Sequence, residues 1–427
     1  MEKQYILYIN LRRIVKEGYG SLLAAKELGY DIILITNKDV PNFAKELVTH
    51  VEKIDTYDLE KSVEVAKELN SKFNIKGVAC WTEIDVELVS RISKELSLPG
   101  LSSAAALRCR NKYQMKKALS SVKELLPQFE RVTTVEELHN AISLIGYPAI
   151  LKPTGASGSK GIFELKNEKD LDNAFIELQK IAQPSFDAVF RQFGAEFILE
   201  EFVTGPEFSV EGFVSNGCIE IVGIIDKLTT DPFHLEYQHI TPPPFSDEQI
   251  ELIKESSKII IETLELDHCA FHLEAKLSPK GFKLIEIASR PAGGYLSSHL
   301  VPLSTGIDFF KNVVKVAVGE PLNIIPSKQI YSGVRFLLAE NEGELVGIEN
   351  IHHLLNDTNI EHLFLEQQIG TKILLPPKHF GLKVIAAIIA KGYSYEEVES
   401  SLKKAAVLCK PQIGKHENNR IEEGSLF

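Results

Sequence analysis

The chain has 427 residues, a net charge of −12, 44% hydrophobic and 25% charged residues, the make-up of a soluble globular protein with about two to four structural units. That acidic balance, without a long basic run, excludes duplex nucleic acid as an expected partner, and no apolar run approaches the ~18 residues of a membrane-spanning helix. The five cysteines, Cys80, Cys109, Cys218, Cys269 and Cys409, form no CxxC pair, so neither a zinc site nor a disulfide framework is expected. The first apolar stretch is too short for a signal peptide, and a reduced, cytoplasmic setting is the expectation.

In chain order, residues 5–9 and 31–36 read as strands, 21–28 and 59–69 as helices, and 77–80 as another strand. This is a βαβ pattern with a parallel sheet. A helix at 87–96 follows, then a single helix over 104–119 with a basic exposed face. From Tyr147 short strands are expected at 149–152, 161–165, 197–201 and 208–213, with a helix at 169–181. A strand at 220–226, a long helix at 246–264 and a helix at 307–318 come next. The last section holds strands at 332–338 and 372–375, turns at Asp357 and Pro376, and a helix from Tyr395 to about residue 407. The tail after Lys410 is polar and expected to be mobile.

Two segments of the middle region carry the sharpest signal. Phe271-His272-Leu273-Glu274-Ala275-Lys276 and Ile285-Glu286-Ile287-Ala288-Ser289-Arg290 both alternate with period two. A three-residue loop, Pro279-Lys280-Gly281 with the glycine left-handed, would join them as a hairpin. That register sets Glu274 opposite Glu286, with Cβ atoms roughly 4.5–5.5 Å apart. Like charges so placed repel unless a cation lies between them. Two hard oxygen ligands beside an open face suit Mg²⁺ carrying nucleotide phosphates. The plainer alternative is a solvated hairpin face with two unrelated glutamates.

Three further elements precede this hairpin. Ala149-Ile150-Leu151-Lys152-Pro153 is a strand ending in a lysine, and it runs into Gly155-Ala-Ser157-Gly158-Ser159-Lys160-Gly161. A glycine-rich turn lets backbone N–H groups approach phosphate oxygens. It lacks the GxxxxGK[ST] spacing, and a strand follows it instead of a helix. Lys112 lies upstream in Asn111-Lys112-Tyr113. Finally, Glu200-Glu201-Phe202-Val203-Thr204-Gly205-Pro206-Glu207 reads as two strands joined by a Gly-Pro turn. Its backbone has groups that can read an adenine edge, and Glu207 has oxygens for ribose hydroxyls. A structural hairpin with exposed acids is the alternative.

In this order the set resembles the ATP-grasp superfamily over about residues 100–320. The resemblance implies an α/β and α+β multidomain chain. Residues 1–110 would be a Rossmann-like domain, 111–205 a lid subdomain with its linker helix, 206–328 the central antiparallel-sheet domain with the metal site, and 329–427 a C-terminal α+β unit and tail. It implies ATP with Mg²⁺ or Mn²⁺ as cofactors. Lys112 and Lys152 would hold α- and β-phosphates under the mobile loop Gly155, Ser157, Gly158, Ser159 and Gly161. Glu200, Glu201, Phe202 and Val203 would meet adenine, with Glu207 on the ribose. Glu274 and Glu286 would bind metal, and Arg290 the transferring phosphate or developing oxyanion. One position departs from the pattern Glu-x-Asn-x-Arg: Ala288 stands where the asparagine is usual. Water or Ser289 would then substitute.

The segments Gly223–Pro242, Ala270–Glu274 and Trp81-Thr82-Glu83, with the C-terminal strand and helix, are similar to bacterial L-amino-acid ligases. That likeness implies a carboxylate activated as an acyl phosphate and attacked by an amine, giving a dipeptide, ADP and phosphate. Lys227 would contact the γ-phosphate and His272 would border the substrate. Glu83 would pair with a substrate ammonium, and His239, Gly293 and Gly294 would line the same pocket. Small carboxylates and amines are the implied partners, and a homodimer is implied. Plainer roles stand beside these: structural histidines at 239 and 272, a helix N-terminal acid at Glu83 and a core Trp81. The alternatives within the superfamily are a glycinamide-type or biotin-carboxylase-type ligase, or a nucleotide-binding module without catalysis. A nicotinamide site on Gly18-Tyr-Gly20 with Asp39 fits poorly, since the third glycine is missing and the glycines do not directly follow the strand.

Overall fold

The computed structural model describes residues 3–231 and 234–414. Strands Val48–Lys53, Asp31–Thr36, Tyr5–Ile9 and Ile75–Ala79 lie side by side in that order as a parallel sheet. Ile6 to Ile9 and Ile32 to Ile35 are buried on both faces, which is why these strands read as continuous apolar runs. Gly18 and Gly20 fall inside the helix Val15–Glu27, away from any strand-to-helix turn, so the dinucleotide fingerprint has no structural context here.

The helix expected over 104–119 is two helices, Ser103–Arg110 and Lys112–Ala118. Asn111 breaks it with an extended backbone, and its Oδ1 accepts hydrogen bonds from the Tyr113 and Gln114 amides, both at 3.0 Å. An asparagine that can cap a new helix competes with continuing the old one.

A second sheet is antiparallel, ordered Phe129–Val132, Phe197–Glu201, Ala149–Pro153, Phe163–Leu165. Helices Val135–Ile145 and Leu171–Ile181 share its core with Leu151, Phe197 and Leu199. The strand Phe197–Glu201 and the strand Glu207–Ser215 belong to different sheets. The Gly-Pro segment between them is therefore a link from sheet to sheet and not a hairpin turn. Gly205 has φ +120°, and a Cβ there would lie 2.0 Å from the Leu277 carbonyl oxygen; only glycine fits.

The third sheet has eight strands: Gly281–Ala288, Cys269–Ser278, Glu207–Ser215, Cys218–Thr229, Glu236–Thr241, Tyr331–Leu338, Val384–Gly392 and Ile360–Leu365. Tyr331–Leu338 pairs with Glu236–Thr241, so the C-terminal section continues the central sheet. One face carries Phe208, Val210, Phe271, Leu273 and Ala275 onto the helix Asp247–Thr263. Ser246 and Gln249 close a reciprocal cap at that helix's start. The opposite face carries the charged residues.

The hairpin reaches its expected pairing by an unexpected route. Its turn has two residues, Pro279 and Lys280, because Ser278 pairs with Gly281. Alone, that would set Glu274 against Ile285. Ile285 instead bulges out of the ladder, and Glu274 stands opposite Glu286. At the other end, Pro411–Gly414 pairs with Gly343–Ile348. The start of the expected mobile tail is thus a strand, and residues 415–427 lie outside the described residues. No helix among the described residues is long and apolar enough to cross a membrane.

Candidate active site

A cleft opens between the small antiparallel sheet and the eight-stranded sheet, at a junction between structural units where ligand sites commonly form. Lys112, Lys152, Ser157, Gly158, Ser159, Glu200, Glu201, Phe202, Val203, Glu207, Lys227, Glu274 and Glu286 all line it. Residues separated by up to 174 positions in sequence thus meet in one place. Gly155 and Gly161 stand behind the loop: a Cβ at 155 would meet Phe193 at 2.9 Å, and Gly161, with φ +75°, would meet Leu178 at 2.8 Å.

Alternation on the central strands builds the charged wall. In register, Glu207 faces Lys227 and Lys276, and Glu211 faces His272. Lys227 Nζ lies 2.8 Å from Glu207, 2.8 Å from Glu236 and 2.7 Å from Glu274. Burial alone would lower its pKa, but the three carboxylates override burial and hold it well above the usual lysine value. His272 Nε2 lies 2.9 Å from Glu274 and its Nδ1 2.5 Å from Glu211. Burial opposes its charge, yet Glu211 and Glu274 raise its pKa to about 10. The two carboxylates thus favour its charged form.

The breaking of the helix at Asn111 aims Lys112 into the cleft. Its Nζ donates to the Ala156 carbonyl at 2.6 Å and pairs with Glu286 at 2.7 Å. Lys152 pairs with Glu200 at 2.9 Å. Lys116 is fully buried behind them. It donates to the carbonyls of Leu284 and Ile285 at 3.1 and 3.0 Å, and lies 3.4 Å from Glu200. Those carbonyls flank the bulge, so Lys116 satisfies backbone groups that the ladder leaves. Desolvation lowers its pKa to about 8. On the glycine loop, Ser159 Oγ donates to the His234 carbonyl at 2.9 Å.

Glu274 and Glu286 supply two hard oxygen donors as direct cross-strand partners, each held by a lysine ammonium. This donor set fits Mg²⁺ that keeps waters and substrate phosphates for its remaining positions. Ala288 offers no donor. Ser289 cannot replace it, because its side chain lies with Val78 and Val313 beneath the opposite face.

Other expected residues lie outside this cleft. Glu83 and Arg290 pair at 2.9 Å, and Arg110 binds the other Glu83 oxygen at 3.1 Å. His239 is buried in the central sheet, with Nδ1 3.2 Å from the Asp226 carbonyl and Nε2 3.3 Å from Glu236. Gly293 lies next to Arg12 and Gly294 next to Phe336. Trp81 is core, packed on Tyr8 and Phe310. Six buried charges had no sequence signal of their own: Arg12, Glu17, Asp85, Arg110, Lys116 and Glu211. Arg12 pairs with Glu17 at 3.0 Å and donates to the Ala292 carbonyl at 2.6 Å. It thereby ties the segment after Arg290 to the first domain.

A family model for the ATP-grasp domain matches residues 145–299, and one for the ATP-grasp N-terminal domain matches residues 22–100. Residues 145–299 and 22–100 are thus ATP-grasp domains, and with this fold the chain is similar to the ligases of that superfamily. Within that superfamily it resembles the L-amino-acid ligases. It is 30% identical to alanine–anticapsin ligase of Bacillus amyloliquefaciens over 247 residues, 55% of this chain and 52% of that enzyme's length. The chain thus aligns with about half of that relative. An uncharacterized protein, y4rH of Sinorhizobium fredii, is 26% identical over 376 residues, 88% of this chain and 76% of its own. The crystal structure of an L-amino acid ligase from Bacillus licheniformis superposes with a TM-score of 0.82, covering 97% of this chain and all of that one at 22% identity.

Proposed function

We propose that this protein is an ATP-dependent ligase that joins two L-amino acids to a dipeptide through an acyl phosphate. The observation that carries this is one cleft holding two lysines, a facing pair of carboxylates and a glycine loop, with Glu83 and Arg110 in a small pocket beside it and Arg290 paired to that Glu83. The kinship with alanine–anticapsin ligase favours amino acids over the glycinamide-type and biotin-carboxylase-type substrates.

In this reading residues 111–205 form the lid and 206–328 the platform. Lys112 and Lys152 release Glu286 and Glu200 to hold α- and β-phosphates. Backbone groups of Glu201 to Val203 hold adenine against the cleft wall, and Glu207 meets the ribose. Glu274 and Glu286 would hold Mg²⁺, which would supply charge neutralisation when bound. Lys227 meets the γ-phosphate. A substrate carboxylate oxygen attacks that phosphorus, the bond to the bridging oxygen of ADP breaks, and an acyl phosphate forms. The amine nitrogen of the second amino acid then attacks the acyl carbon, and phosphate leaves with the C–O electron pair. Arg290 stabilises the oxyanion that develops. The glycine loop, closed by Ser159 on residue 234, excludes water that would hydrolyse the intermediate. Five free thiols suit a reducing cytoplasm.

The test is phosphate release from ATP and Mg²⁺ over all pairs of amino acids, with mass spectrometry of the positive wells. Release that needs two amino acids, with a product lighter than their sum by one water, is the expected result. Nucleotide binding with no release for any pair would overturn the amino-acid reading.

A further inference from the structure

A second, much narrower pocket adjoins the nucleotide cleft. The two share Lys112, Ala156, Ser157 and Glu286. Whatever sits in the small pocket therefore touches the triphosphate end of the large one. Its far wall is Glu83 and Arg110, and Met115, Ile287 and Ala288 give it an apolar floor.

Arg110 is the feature that the proposed reaction leaves unused. Its residue is 3% exposed. One terminal nitrogen donates to Glu83 at 3.1 Å, while the buried Nε has no hydrogen-bond partner among the described residues. Buried donors are nearly always satisfied, so this one asks for an acceptor. Glu83 cannot supply it, because its second oxygen already takes Arg290 at 2.9 Å. A guanidinium presents planar, paired donors that match the two oxygens of a carboxylate. Its charge and Arg290's together exceed the single charge of Glu83.

From this geometry we infer that Arg110 binds the carboxylate of the amino acid to be phosphorylated. Glu83 is then the positioning residue that holds both guanidinium groups at one spot, and it is not free to take a substrate ammonium alone. Ala288 has a use here as well. The missing asparagine side chain leaves the floor open where the carboxylate would enter. The pocket is too narrow to enclose a whole amino acid, so only the carboxylate reaches Arg110 and the rest of the substrate stays in the larger cleft. This inference rests on the ligase reading above but assigns a residue that reading does not need.

The test is calorimetric titration of the protein, saturated with Mg²⁺ and the non-hydrolysable analogue AMP-PNP, with each of the twenty amino acids. The amide of every amino acid that binds serves as the control without a carboxylate. The expected result is that at least one amino acid binds and its amide does not. Arg110→Met should weaken that binding by about 10–100-fold, the loss of a hydrogen bond to a charged group. Arg110→Lys should fall between, and AMP-PNP affinity should stay unchanged in both. Should Arg110→Met fold poorly, Ala288→Val fills the floor without touching a charge, and it should weaken the amino acid while sparing AMP-PNP. Unchanged amino-acid affinity in the folded Arg110 variants, with only a lower melting temperature, would show a purely structural ion pair and overturn the assignment. Equal loss of AMP-PNP affinity would overturn it too, since Arg110 would then serve the γ-phosphate. Binding of no amino acid by the wild type would sink this inference together with the amino-acid reading. An active ligase with an indifferent Arg110 would sink this inference alone.

Discussion

The two ends of the cleft hold their cations differently. At the phosphate end the cations are lysines, each resting on one carboxylate: Lys112 on Glu286, Lys152 on Glu200. At the other end they are arginines, two of them locked on the same Glu83. An ammonium is a point charge with rotatable donors, so it can exchange a carboxylate for a phosphate with little rearrangement. A guanidinium fork is pre-organised and loses less freedom when it binds a planar anion. In the proposed reaction one end would swap partners as a flexible nucleotide enters, and the other would present a fixed seat. Lys227 lies between these types: a lysine with three carboxylates, too encumbered to swap freely.

Breaking that intermediate case has the largest expected effect. Lys227→Met strips the shared cation from Glu207, Glu236 and Glu274. A buried pair broken from one side costs roughly 3–5 kcal/mol, so urea unfolding should show a loss of that order. A change below about 1 kcal/mol would mean that these acids are already solvated. Next is the phosphate end itself. Glu286→Gln keeps shape and removes charge. It should leave the melting temperature intact and lower ADP formation by about 10²–10³-fold, the cost of losing one electrostatic contact in a transition state. Near-wild-type turnover would end the metal assignment.

The third effect is a pH profile. His272 is raised from an ordinary value near 6.5 to about 10 by Glu211 and Glu274 against the burial that opposes it. Its contribution to stability is complete below pH 6.5 and is lost as pH rises through about 10. Urea midpoints between pH 6.5 and 9.5 should fall more steeply for the wild type than for His272→Gln; parallel curves would count against the imidazolium. The smallest effect lies outside the cleft and serves as a control. Asp85 is buried, accepts hydrogen bonds from Asn10 at 2.9 Å and from Thr82, and burial pushes its pKa up to about 6. Its favourable contribution is complete below pH 3.8 and is lost as pH passes 6. Asp85→Asn should therefore be more stable than the wild type at pH 8 and no more stable near pH 4, without altering the phosphate end; a loss at pH 8 would refute that.

The charged wall was legible in sequence because one-sided strands alternate. Phe271 to Lys276 showed its inner and outer faces directly, and the Glu274–Glu286 pairing followed even though turn and bulge were misjudged by one residue each. The strand Val384–Gly392 was not legible. It is buried on both faces, so Ile-Ala-Ala-Ile-Ile-Ala has no period to distinguish strand from helix. The helix 104–119 failed for another reason: one capping asparagine outweighed the fifteen other positions of that span. At the arginine end, Arg12, Glu17 and Arg110 were invisible because their partners are remote in the chain. Arg12 meets Ala292 across 280 positions. No local spacing encodes such a meeting, whereas a carboxylate pair on one hairpin is encoded within thirteen residues.

Ile285 carries a genetic consequence. It is one residue more than the hairpin needs, since the ladder runs Ala275 to Leu284 and resumes at Glu274 to Glu286. Removing its single codon would leave those pairs in phase, with every other side chain on its present face. The topology would survive a mutation that usually inverts a strand. What would disappear is the side chain on the floor of the nucleotide cleft and the carbonyl that Lys116 holds. A frame-preserving deletion of three bases is thus a route by which this lineage could keep its architecture and give up its nucleotide.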